Sequence, residues 1–228
     1  MTTRAHARST TKAKKIFIVD DHPITRQGLA TLISDEEDLT VCGEADNARE
    51  ALKAISALKP DLAIVDISMT GKTGLELIKD MRAQCPDVLV LVMSMHDETI
   101  FAERVLRVGA RGYIMKQAGG KVLMQAIRQV LSGQVYVSEK MSARILERIS
   151  NGRPQEQNSP LEILSDREFE VFQLIGHGLG TRQIAEQLSV SLKTIEVHRA
   201  HIKKKLNLAD GPALVRHAIR WLETQSGS

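Results

Sequence analysis

Five short apolar runs recur along the first half of the chain: IFIVD (16–20), LTVCGEA (39–45), DLAIVD (61–66), VLVLVMS (88–94) and GYIM (112–115). The segments between them have helical spacing. Residues 46–58 put Ala51, Leu52, Ile55 and Leu58 on one side, and residues 73–83 turn Leu75, Leu77, Ile78 and Met81 inward. Residues 99–108 and 121–131 behave likewise. Runs this short and this apolar are strands buried on both faces. Alternation with helices makes them βα units, so the pattern predicts a five-stranded parallel sheet covered on each side.

Residues 151–160, NGRPQEQNSP, end the rhythm with two prolines, a glycine and nothing to bury. They read as a flexible linker, preceded by one more helix over 138–149. Beyond it the pattern is helical only. The expected organisation is a basic tail over 1–13, an α/β domain over 14–134, a linker helix and linker over 135–160, and an all-α domain over 161–228.

Apolar residues make up 43% of the 228, but aromatics only 3%, so the cores must be aliphatic. No apolar run approaches the length of a membrane span. The N-terminus, MTTRAHARSTTKAKK, has no apolar stretch behind its charges, so it reads as a disordered tail rather than a secretory signal. Cys42 and Cys85 form no metal or redox motif and read as ordinary thiols in a reducing compartment.

In a parallel α/β sheet the active crevice lies beyond the carboxyl ends of the strands. There the first strand ends in Asp20 and Asp21, the third in Asp66, the fourth in Ser94 and the fifth just before Lys116. Adjacent carboxylates at the end of a buried strand need a cation. Three carboxylates supply hard oxygen ligands for Mg²⁺, while Lys116 and Ser94 suit phosphoryl oxygens. Asp66, on the central strand, is best placed to accept the phosphoryl group as an acyl phosphate. His22 and Pro23 read as the loop and first turn of the next helix, since proline is favoured there.

The stretches VDDHP, DLAIVDISMTGKTGLELI, VLVLVMS and GARGYIMK resemble the receiver domain of two-component response regulators. The resemblance implies a flavodoxin-like doubly wound fold and phosphotransfer to Asp66 from a phosphohistidine on a sensor histidine kinase. It implies Mg²⁺ held by Asp20, Asp21, Asp66 and the backbone carbonyl of Ser68. Ser94 and Tyr113 match the family's switch residues, and Lys116 its lysine. Ser68 and His96 fall where side chains can control water access to the acyl phosphate. Thr70 and Gln117 stand where prolines are common in the family.

In the second half, Ser165 and Glu168 form the S-x-x-E of a capping box. A short helix over 181–188, a turn at 189–191 and a basic helix over 192–206 make a helix-turn-helix. Net charge is only +3, but 193–205 holds Lys193, Arg199, Lys203, Lys204 and Lys205 against Glu196. Ile195, His198, Ile202 and Leu206 share the inward face. Lys193, Thr194, Glu196, Val197, Ala200 and Lys204 can then enter a major groove. Arg199 and Lys203 flank it, and Thr181 and Arg182 can meet phosphates. The last helix carries a stripe of Leu214, Ala218, Trp221 and Leu222, read as part core and part dimer surface.

The run from LSDREFEVF to HIKKKL is similar to the LuxR-type helix-turn-helix, and with the receiver the chain resembles the NarL/FixJ class. Gly180 replaces the usual Ser or Asn before the scaffold helix. The resemblance implies a four-helix second domain. It also implies a cytoplasmic bacterial regulator that binds double-stranded promoter DNA and dimerises when phosphorylated. Such a protein accepts a phosphoryl group without being a turnover enzyme. Two rivals carry other expectations. A haloacid-dehalogenase-type phosphatase would need D-x-D on the first strand, where this chain has Asp20-Asp21. A phosphorylation-independent DNA binder would use the acidic site for stability alone. As a hypothesis, the unphosphorylated receiver is expected to mask the recognition helix through the 138–164 linker.

Overall fold

A computed structural model describes residues 13–69, 73–150 and 163–226. All but the last residue of the expected basic tail lies outside these, as do Thr70 and the 151–160 linker. Five parallel strands form one sheet in the order β2-β1-β3-β4-β5. They are β1 Lys14–Val19, β2 Leu39–Ala45, β3 Leu62–Val65, β4 Leu89–Ser94 and β5 Gly112–Met115. Helices α1 Pro23–Ser34 and α5 Gly120–Leu131 cover one face. Helices α2 Ala48–Leu58, α3 Gly74–Gln84 and α4 Glu98–Val108 cover the other.

The period-2 alternation of a strand explains the two cores. Ile16, Ile18, Leu62, Ile64 and Leu91 pack with Leu29, Ile33, Leu123 and Ile127 on one side. Phe17, Val19, Ala63, Val65 and Val92 pack with Ala51, Ile55, Ile78 and Val105 on the other. The expected inward residues of α3 are all buried. In α2, Leu58 is instead 40% exposed, because the helix ends there and Lys59 turns left-handed at φ 45°.

Strand register sets the rim. Val19 pairs with Val65, Val65 with Val92, and Ser94 with Met115. Asp20 and Asp66 therefore leave neighbouring strands at one level, with Ser94 and Lys116 close by. The order reverses between β1 and β3, which opens a crevice at their carboxyl ends. Gly74 closes the loop behind Asp66. A Cβ there would lie 2.0 Å from the Asp66 carbonyl oxygen, so only glycine lets α3 start this close.

Helix α6, Glu139–Ser150, follows the sheet domain. The second unit holds α7 Asp166–Gly176, α8 Thr181–Gln187, α9 Leu192–Lys205 and α10 Gly211–Ser226. Ser165 caps α7 in a reciprocal box with Glu168, as its spacing predicts. Gly180 has no capping side chain, and Gln183 Oε1 instead accepts from its backbone N–H at 2.9 Å. Ser189, at φ 52°, makes the turn between α8 and α9. Ile195 and Ile202 are buried, with His198 and Leu206 half-buried beside them. The α10 stripe supplies the core part of what was expected of it. Leu214, Ala218 and Leu222 are core, and Trp221 packs edge-on against Phe169 and Phe172 at 5.4 and 5.8 Å.

The two units touch through α7. Phe101 meets Phe169 edge-on at 5.6 Å, and the Arg104 guanidinium lies 4.9 Å over the Phe169 ring. Arg104 also donates to the Leu164 carbonyl at 2.8 Å. The expected masking of the recognition helix is not what this packing does. Glu196, Val197 and Ala200 on α9 are exposed, because the sheet domain holds α7 instead.

Candidate functional site

Lys116 occupies the centre of the rim crevice. Its Nζ lies 2.6 Å from Asp20 Oδ2 and 2.7 Å from Asp66 Oδ2. Asp20 and Asp66 are almost wholly buried, at 1% and 2% exposure. Burial raises the Asp66 carboxyl above its ordinary range; the Lys116 ammonium opposes this, and the Asp20 charge adds to it. Burial works against the Lys116 ammonium, but Asp66 and Asp20 outweigh it and its pKa is raised. Asp20 and Asp66 thus share a cation within the protein itself.

The acceptor loop is held by backbone. The Asp66 N–H donates to the Val19 carbonyl at 2.8 Å, and the Ser68 N–H to Asp66 Oδ1 at 3.2 Å. Ser94 is fully buried; its carbonyl accepts from the Lys116 N–H at 2.7 Å, and its Oγ accepts from the His96 N–H at 3.2 Å. Tyr113 is fully buried, and its hydroxyl donates to the His96 carbonyl at 2.7 Å. Burial pushes the Tyr113 phenol far up, so it stays protonated.

His22 and Pro23 stand at the start of α1, as their order predicts. The His22 side chain makes no cap. Its Nδ1 lies 2.8 Å from Asp21 Oδ1 and 3.2 Å from Asp20 Oδ1. Asp20, Asp21, His22 and Asp66 bring one ligand atom each within 4.8 Å of one another. Oxygen donors dominate that set, which fits a hard cation such as Mg²⁺. Arg26 was missed by sequence reasoning. It donates to the Asp20 carbonyl at 2.6 Å, and only its position one turn into α1 hinted at this.

On the other unit, Lys193, Glu196, Val197, Ala200 and Lys204 form an exposed face of α9. Thr194, Arg199 and Lys203 are half-buried at its margins. Burial lowers the Arg199 pKa. Thr194 is engaged locally, its N–H donating to Ser191 Oγ at 3.1 Å. Thr181 is half-buried; exposed Arg182 pairs with Glu186 at 3.2 Å. Lys205 leaves the basic stretch altogether. It pairs with buried Glu168 at 2.6 Å, which ties the end of α9 to α7.

Among the described residues no helix is long and apolar enough to cross a membrane. Residues 16–128 match the family described as response regulator receiver domain, and residues 162–218 match bacterial regulatory proteins of the luxR family. The oxygen regulatory protein NreC of Staphylococcus carnosus is 38% identical over 210 residues, which span 90% of this chain and 97% of that one. The chain is also similar in structure to RcsB of Salmonella enterica serovar Typhimurium, solved bound to promoter rprA with the phosphomimetic BeF3−. The TM-score is 0.58 at 26% identity, covering 90% of this chain and 98% of that one. A LuxR-family two-component response regulator from Aurantimonas sp. SI85-9A1 has a TM-score of 0.57 at 31% identity, covering 60% of this chain and 99% of its own. With both of its units matched and a relative spanning nearly its full length, the chain belongs to the DNA-binding response regulators that join a receiver domain to a LuxR-type helix-turn-helix domain.

Proposed function

We propose that Asp66 takes a phosphoryl group from a sensor histidine kinase, and that this event switches promoter binding by α9. The observation that carries the reading is the Lys116 ammonium held between Asp20 and Asp66 at 2.6 and 2.7 Å. A carboxylate oxygen of Asp66 attacks phosphorus as the bond to the kinase imidazole nitrogen breaks, and that nitrogen keeps the electron pair. Lys116 stabilises charge on the phosphoryl oxygens as a fixed cation. The Ser94 hydroxyl, released from the His96 N–H, donates to one of them, and Tyr113 follows the space it leaves.

Asp20, Asp21, Asp66 and the Ser68 backbone carbonyl would hold Mg²⁺, with His22 at the margin of the set. Bound there, Mg²⁺ neutralises phosphoryl charge. The chain takes up one phosphoryl group per site rather than turning over substrate. It acts in the bacterial cytoplasm, where both kinase and promoter are available, and works as a homodimer once phosphorylated. Lys193, Thr194, Glu196, Val197, Ala200 and Lys204 enter the major groove. Arg199, Lys203, Thr181 and Arg182 serve the phosphates.

Intact mass after treatment with acetyl phosphate and Mg²⁺ tests the reading. One phosphoryl adduct is expected on the wild type and none on Asp66→Ala. An adduct that survives Asp66→Ala would refute the assignment.

A further inference from the structure

His96 touches both domains. Its Nε2 lies 2.7 Å from Ser68 Oγ on the acceptor loop and 3.4 Å from Glu170 Oε1 on α7. Its backbone is held by Ser94 Oγ, which accepts from its N–H, and by the Tyr113 hydroxyl, which donates to its carbonyl. Its ring stacks on Phe101 at 4.6 Å, and Phe101 meets Phe169 of the DNA-binding domain.

Glu170 is a buried carboxylate, 4% exposed. Arg167 Nη1 donates to its Oε2 at 2.6 Å, and Arg167 Nη2 also donates to the Leu188 carbonyl, so the group is fixed to the helical framework. Its Oε1 is buried and makes no hydrogen bond; the His96 imidazole lies before it at 3.4 Å. A desolvated carboxylate oxygen held this way is favourable only while a polar group stays in front of it.

We infer that Glu170 is a positioning residue for the chemistry at Asp66, acting from the DNA-binding domain through His96 and Ser68. Glu170 keeps the imidazole over Ser68, and Ser68 in turn donates its N–H to Asp66 Oδ1 at 3.2 Å. The placed ring shields the acyl phosphate from hydrolysis. In that reaction a water oxygen attacks phosphorus and the bond to the Asp66 oxygen breaks. Carboxylate and inorganic phosphate form, and a proton leaves to solvent. The coupling is reciprocal. A phosphoryl group that draws Ser94 Oγ away from the His96 N–H loosens the residue on which Glu170 depends.

The inference rests on the phosphorylation of Asp66 proposed above, and its test separates the two. The half-life of the acyl phosphate is measured on the full chain for wild type, Glu170→Gln, Glu170→Ala, His96→Ala and the His96→Ala/Glu170→Ala pair. Emission of Trp221, the only tryptophan, is read alongside to report on the Phe169 contact. Glu170→Ala should shorten the half-life by about threefold or more, and Glu170→Gln, which keeps an acceptor, should restore most of it. In the His96→Ala background the Glu170 change should have no further effect. A merely structural role would lower the melting temperature but leave the half-life alone.

Equal half-lives for wild type and Glu170→Ala, or additive effects in the pair, would overturn the inference while leaving Asp66 as acceptor. Absence of any adduct on the wild type would remove both. Should Glu170→Ala not fold, His96→Ala carries the test. It must shorten the half-life, and Glu170→Gln must then change nothing in that background; otherwise the inference fails.

Discussion

The Tyr113 hydroxyl donates to the backbone carbonyl of His96 at 2.7 Å, with the phenol ring fully buried. This bond fixes the loop after β4, which also carries the contact to α7. Tyr113→Phe removes the donor and leaves that carbonyl short of a partner. It should cost about 1 kcal/mol, read as a lower urea midpoint with an unchanged slope.

Gly74 makes the tightest backbone approach at the acceptor loop, since a Cβ would sit 2.0 Å from the Asp66 carbonyl oxygen. Backbone cannot move aside as a flexible side chain can. Gly74→Ala should therefore destabilise the receiver by about 1–3 kcal/mol and slow phosphoryl uptake by displacing Asp66. Thermal unfolding and the rate of adduct formation measure the two effects.

Glu168 ties α9 to α7 through Lys205, at 2.6 Å. Burial works against its carboxylate, but Lys205 and the Ser165 cap outweigh that and hold its pKa below the ordinary 4.5. A depressed carboxyl stabilises the fold fully above the unfolded value. That stability is lost as pH falls below about 4.5 through the folded value. Lys205→Met should cost about 1 kcal/mol at neutral pH and flatten the acid limb of the stability curve. Urea unfolding at a series of pH values measures both.

Lys193 and Glu196 lie on the exposed face of α9 and should separate affinity from specificity. Lys193→Ala should weaken binding to all sequences and lower the salt slope by about 1. Glu196→Ala should relax preference at one base while changing affinity less. Binding titrations across salt concentrations and a panel of operator variants separate these outcomes, and unchanged behaviour in both would remove α9 from the groove.

Local patterning carried much of what could be read from the residues alone. The alternation of strands such as IFIV, the capping box of Ser165 with Glu168 and the inward face of α3 depend on neighbours within a turn or a pleat. The level of Asp20 and Asp66 followed too, because consecutive apolar runs in a parallel sheet end on one rim. Periodicity could say nothing of partners distant along the chain. Lys205 looked like part of the polyanion face, yet it is spent on Glu168. The α10 stripe had the pattern of core and interface together, and the tertiary structure shows which residues make the core: Leu214, Ala218 and Leu222 are buried, with Trp221 packed on Phe169 and Phe172. The link from Ser68 through His96 to Glu170 depends on how two domains dock. Such contacts arise where desolvated charges find partners in three dimensions. Residue spacing encodes which face of an element is buried, and only docking settles which group meets it there.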